Sequence, residues 1–220
     1  MQNFTFIRYR PNLPPKLPQS QAGYTLLELL VVLGIVGVVS AIAAPGWLGF
    51  VQQRRVNSAN DSVLRALQEA QSKAKTQKLS YSVSLRIQNR VPQVAVYPGS
   101  PTSIDKYWKP LGDQVSFKPG QIWLGTNATS SNIAGTSLDN PNLINPDGVK
   151  AVTFDNSGAL PTTPTPKLDP QGLIIAVGAA QPRSSPPAPI LSTRRCVKIS
   201  TLLGSIQTGK VDNTDACKPI

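Results

Sequence analysis

The residues able to do chemistry are few and mostly scattered. None of the 220 residues is a histidine, which excludes imidazole general bases and the usual His/Cys metal sites. Serines, lysines and aspartates are present, but no motif joins a nucleophile to a base. Asp139, Asp147 and Asp155 stand among turn residues, where aspartates bond their own backbone. Asp212 and Asp215, between the two cysteines, read the same way, and a calcium loop would need denser oxygen ligands at fixed spacing. The sequence therefore predicts no catalytic residue, no metal site and no cofactor. Cys196 and Cys217 allow one intrachain pairing. A bridge would close a loop of about 20 residues, stabilise by roughly 3 kcal/mol and require an oxidising compartment; the alternative is two free thiols. The remaining candidate is Glu28, a lone acid at the edge of a long apolar run.

Those residues depend on the elements that carry them. No charge occurs from Leu29 to Gln53, and Leu29 to Phe50 is rich in Leu, Val, Ile, Ala and Gly. That run is long enough to cross a hydrocarbon layer of roughly 30 Å. Val56, Ala59, Val63, Leu67, Ala70 and Ala74 then recur at three- and four-residue steps, with Arg54, Arg55, Arg65, Lys73 and Lys75 largely off the stripe. Residues 25–77 thus read as one helix, apolar in its first half and amphipathic in its second. Pro45, with Gly46 beside it, falls inside and predicts a kink, because proline removes a backbone hydrogen bond. Glu28 sits one turn into this helix, where an unpaired carboxylate is costly.

After Lys78 the period changes to two. Strands are expected at Tyr81–Ile87, Gln93–Tyr97, Gln114–Phe117, Gln121–Leu124, Val149–Phe154, Leu173–Val177, Arg195–Thr201 and Ser205–Val211, the last two forming a hairpin around Leu203-Gly204. Residues 125–148, 157–170 and 179–192 are polar and Pro-rich and read as loops. They include an Asn127-Ala128-Thr129 sequon. Aromatics are only 6% and prolines number 21, so the core is expected to be modest. The net charge is +11, of which Arg8, Arg10 and Lys16 in an acid-free N-terminal segment supply three. Such a surface favours solubility and attracts polyanions. Residues 1–23 are basic and Pro-rich, and the apolar run follows them, unlike a secretory signal.

The segment Gly23-Tyr24-Thr25-Leu26-Leu27-Glu28-Leu29-Leu30-Val31-Val32 resembles the processing site of type IV prepilins and type II secretion pseudopilins. In that family a glycine precedes an aromatic or Met, then Thr, two aliphatics and a glutamate; Tyr24 replaces the commoner phenylalanine. Pro45 also falls where many pilins carry a proline. The resemblance implies an α+β type IV pilin fold, with a long N-terminal helix packed on a C-terminal antiparallel β-sheet domain. It divides the chain into a leader (1–23), the membrane and assembly half of the helix (24–53), the amphipathic half (54–78) and a globular β domain (79–220). It further implies that prepilin peptidase cuts between Gly23 and Tyr24 and N-methylates Tyr24. Glu28 would then meet a neighbouring subunit's N-terminus. The expected partners are that peptidase, other pilins and the inner membrane, with a single span, a periplasmic C-terminal domain and later a place in a filament.

A second resemblance covers about residues 149–211. Val152-Thr153-Phe154-Asp155-Asn156-Ser157-Gly158, the strand at Leu173–Val177, and Arg194-Arg195-Cys196-Val197-Lys198-Ile199-Ser200 leading to Gly204 are similar to the H-type pseudopilin (GspH) and FimT group of minor pilins. This implies a structural minor subunit, in a pilus or in a type II secretion pseudopilus. The alternative is DNA capture in natural transformation, with Arg194, Arg195, Lys198, Lys210 and Lys218 as phosphate contacts. The DNA-binding members share a glycine–arginine–x–arginine turn; here the matching positions read Gly204-Ser205-Ile206-Gln207, without either arginine.

Overall fold

A computed structural model describes residues 23–219 except 100, 113–116, 139–140, 146, 164, 169, 183 and 185–186. Residues 1–22 of the expected leader, 1–23, lie outside the described residues, as do Asp139 and positions 114–116 of the expected strand Gln114–Phe117. Helix α1 spans Leu26–Gln77. The chain divides after Pro45 into two compact units, taken in turn below.

The first unit is the head of α1. All its described side chains from Leu26 to Ala43 are exposed, including Leu30, Leu33, Val36 and Ile42. An apolar helix with no protein cover answers to a lipid or to like helices as its solvent. By length and composition α1 is a candidate membrane span.

In the second unit the helix turns amphipathic and acquires a core. Val56, Ala59, Val63, Leu67, Ala70 and Ala74 are all buried, as their spacing predicts. They pack on two antiparallel sheets. The first contains β1 (Tyr81–Gln88), β2 (Val91–Pro98), β3 (Trp108–Pro110) and β7 (Val149–Phe154), in the order β3-β2-β1-β7. The second contains β4 (Ile122–Thr126), β8 (Leu173–Ala179), β9 (Arg195–Ile199), β10 (Ile206–Val211) and β11 (Cys217–Pro219), in the order β11-β10-β9-β8-β4. A small ribbon pairs β5 (Ala128–Ser130) with β6 (Ile133–Ala134). The architecture is α+β, as expected.

β8 explains how so Pro-rich a chain builds a core. All its residues are buried. Leu173, Ile175, Val177 and Ala179 join the helix stripe, while Ile174 and Ala176 join a second cluster with Trp123, Leu138, Cys196, Val211 and Cys217. A strand covered on both faces reads as a continuous apolar run rather than an alternating one. The second cluster requires part of the segment expected as open loop, residues 125–148, to be structured. Thr126 and Asn127 are buried there. The Asn127 side chain donates to the Gly172 carbonyl at 3.0 Å and accepts from the Ile174 amide at 2.7 Å. The sequon's asparagine is thus committed to holding β8, and this fold leaves no room for a glycan on it.

Candidate functional site

The head of α1 is built by a cap. Gly23, Tyr24 and Thr25 precede the helix and are exposed, Tyr24 by 82%. A Cβ built at Gly23 would meet nothing within 4 Å among the described residues, and Gly23 and Tyr24 are both exposed. Thr25 is the N-cap: its Oγ1 accepts the Glu28 amide at 3.1 Å, and its carbonyl accepts the Leu29 amide at 3.1 Å. Thr25-x-x-Glu28 has the residue types of a capping box, a signal the motif reading passed over. The cap holds the Glu28 carboxylate in the first helical turn, where the positive end of the helix dipole favours an anion. Glu28 is exposed, on an otherwise apolar surface.

Far along the chain, Cys196 and Cys217 are bonded, with Cα atoms 6.0 Å apart. They lie on β9 and β11, which flank β10 rather than each other. The bridge therefore passes over β10 at Gly209, which pairs with Cys196 on one side and Pro219 on the other. A Cβ at Gly209 would fall 2.1 Å from the Lys218 carbonyl oxygen and 3.1 Å from Cys217 Sγ. Only glycine admits so close a crossing.

The five basic residues read from the sequence separate into three settings. Arg194 is only 6% exposed. Its guanidinium pairs with Asp215 and donates to the Asp212 carbonyl at 2.8 Å, so it is a clamp on the turn before β11. Lys198 pairs in register with Ile174 and Gln207, on the disulfide face of β9. Arg195, Lys210 and Lys218 form a row on the opposite face, for Arg195 is paired directly with Lys210 and Lys210 with Lys218. Like charges directly opposite one another destabilise a sheet. One carboxylate, Asp212, offsets the row, through Lys218 Nζ at 2.9 Å.

Asp212 also accepts from the Thr214 hydroxyl at 2.7 Å, the Thr214 amide at 2.9 Å and the Ala216 amide at 3.0 Å. The Thr214 hydroxyl, then Lys218 and these amides, hold its carboxyl far below the usual carboxylate range. A carboxyl whose pKa is depressed on folding contributes stability above its unfolded pKa, near 4, and loses it as pH falls through the folded value. Asp212→Asn should therefore lower the melting temperature at pH 7 and narrow its gap to the parent as the pH drops below about 4. A gap that stays constant from pH 7 to 3 would contradict this role.

The glycine of the hairpin turn has a packing duty. Gly204 has φ +77°, and a Cβ there would fall 2.7 Å from Gln71 Nε2 and 2.8 Å from the Gly158 carbonyl oxygen. Gln71 on α1 donates to both the Gly158 and Gly204 carbonyls, at 2.8 and 2.9 Å. The Asp155–Gly158 turn and the β9–β10 turn are thereby fastened to one helical side chain. A groove of about 380 Å³ opens between α1 and the β2–β3 edge, lined in part by Arg65, Lys106 and Lys109. Its single acid, Glu69, is bonded to Lys73.

The family described as the prokaryotic N-terminal methylation motif matches residues 18–44. That match covers the glycine, the cap, Glu28 and most of the exposed apolar helix, and with the α+β fold it supports a type IV pilin-like protein. No curated protein and no solved structure matches the chain. The motif implies processing by prepilin peptidase and assembly with other pilins, and the apolar helix is consistent with membrane anchoring.

Proposed function

We propose that the protein is a minor pilin or pseudopilin of the H/FimT type, cut between Gly23 and Tyr24, N-methylated on Tyr24 and assembled into a pilus or a type II secretion pseudopilus. Before assembly it is held in the inner membrane by a single span, with the β domain in the periplasm. The observation that carries this reading is the methylation motif lying over a helix whose first half the fold leaves bare. Three further features support it. The Gly23–Tyr24 peptide is accessible. The disulfide suits an oxidising compartment. Of the landmarks of the H-type resemblance, Gly158 and Gly204 are both bonded by Gln71 of α1, and Phe154 lies close against Gly204.

In the assembled state, the freed amine of Tyr24 and the Glu28 carboxylate of a neighbour compensate each other within an apolar bundle, and Pro45 bends the helix. Gly23→Ala, expressed with prepilin peptidase, should accumulate as full-length membrane protein on an immunoblot. Normal trimming of this variant would contradict the assigned cut.

A second reading, DNA capture, is favoured by the cross-strand row Arg195–Lys210–Lys218. A row of cations that repel one another is relieved by a polyanion. Arg194 and Lys198 contribute less to this reading, the first being committed to Asp212 and Asp215. The detergent-solubilised chain should shift duplex DNA at low salt. Lys210→Gln should reduce the slope of log K against log salt by about one. Absence of any salt-sensitive shift would end this reading.

A further inference from the structure

Where the apolar run of α1 ends, its last aromatic residues meet two arginines. Trp47 and Phe50 are exposed, with ring centroids 5.9 Å apart. The guanidinium of Arg54 lies over the Phe50 ring, 4.8 Å from its centroid. Arg55 follows immediately. Spacings of three and four residues place Trp47, Phe50 and Arg54 on one helical face. Among the described residues no acid pairs with Arg54 or Arg55, and the next acids along the helix are Glu28 and Asp61.

The position of this cluster along the helix is informative. The uncharged run from Leu29 to Phe50 is about as long in sequence as a membrane span requires. The hydrocarbon layer is roughly 30 Å thick. Trp47 and Phe50 stand at the C-terminal end of that run, and amphipathic rings collect at the boundary of such a layer. Arg54 and Arg55 then fall one turn further out, at the depth of the lipid phosphates. A guanidinium meets a phosphodiester with two parallel hydrogen bonds, which suits it to that group better than to water.

We infer that Trp47, Phe50, Arg54 and Arg55 form a binding site for anionic phospholipid headgroups, which fixes the depth of the stored subunit. The rings form the apolar floor of the site. Phe50 holds Arg54 in place, and the two arginines take the phosphate. Lipid, rather than free phosphate, is the source, because the site directly adjoins the span. The consequence for assembly is that extraction into a filament must break these contacts, so a membrane richer in anionic lipid retains the subunit more strongly. The inference rests on the membrane-anchoring reading.

The test uses the full chain in vesicles of equal phosphatidylcholine and phosphatidylglycerol, with one or the other lipid brominated to quench tryptophan. The difference between the parent and Trp47→Phe isolates the Trp47 emission from that of Trp108 and Trp123. Brominated phosphatidylglycerol should quench Trp47 several-fold more than brominated phosphatidylcholine; a basic residue at a charged surface is worth about 1 kcal/mol, or about five-fold. Arg54→Gln with Arg55→Gln should make the two lipids equal while Trp47 remains quenched. Equal quenching in the parent, or a preference that survives loss of both arginines, overturns the lipid site and leaves the membrane reading standing. No quenching by either lipid overturns both.

Discussion

Glu28→Ala is expected to be cut and methylated normally yet to be nearly absent from filaments. The carboxylate is an acid on a helix that is otherwise uncharged from Leu26 to Phe50, and an acid within a membrane helix costs about 2.5–3.5 kcal/mol on insertion scales. Among the described residues no cation pairs with it, and Glu28 is exposed. An offsetting charge has to come from the new α-amine of Tyr24, on this chain or on a neighbour. A charge-assisted hydrogen bond of that kind contributes about 1.5–3 kcal/mol, so its loss should lower incorporation by about ten-fold or more. The defect would not come from a frayed helix. Thr25 Oγ1 accepts the backbone amide of Glu28 at 3.1 Å, and alanine keeps that amide. Glu28→Gln separates charge from shape and should be as defective as the alanine variant. The measurement is the ratio of sheared filament to membrane-held subunit; unimpaired incorporation of both variants would remove Glu28 from assembly.

The two halves of α1 should answer a buried charge in opposite ways. Leu67 is fully buried against the sheets, and an aspartate there would combine a cavity with an unpaired buried carboxylate. Losing the leucine alone costs about 2–5 kcal/mol, and the desolvated charge adds several more. Marginal domains hold about 5–15 kcal/mol, so Leu67→Asp should abolish folding of the β domain. Leu33 is 62% exposed. Leu33→Asp should leave the detergent-solubilised domain folded, with its disulfide formed and its thermal transition unchanged, while membrane insertion fails. Circular dichroism in detergent and carbonate extraction of membranes read the two effects. A folded Leu67→Asp domain, or an unfolded Leu33→Asp one, would mean that the division of the helix has been misread.

The sequence revealed most where one pattern had one cause. The expected helix, 25–77, is Leu26–Gln77, and every residue of its predicted stripe is buried, since a three-to-four spacing admits one buried face. Tyr81–Ile87 alternates and became β1. The strands that escaped notice are short and lie at edges. β3 ends on Pro110 and β11 on Pro219, positions that edge strands tolerate and sequence patterns penalise. β8 is expected as Leu173–Val177 and spans Leu173–Ala179, but its continuous apolar run does not reveal that both faces are buried, so the segment 125–148 that covers it reads as open loop. At the candidate sites, residue types were legible but their settings were not. Arg194 and Arg195 are neighbours in sequence, yet one is a buried clamp on Asp215 and the other opens a row with Lys210 and Lys218. Register and the crossing at Gly209 decide that, and both depend on pairings far along the chain.

The central claim is that this chain is a precursor whose mature form begins at Tyr24. Mass spectrometry of the N-terminal peptide, on protein purified from cells that carry prepilin peptidase, tests it most directly. The expected result is a peptide that starts at Tyr24, heavier than the unmodified sequence by one methyl group. A peptide that starts at any residue other than Tyr24 would contradict it.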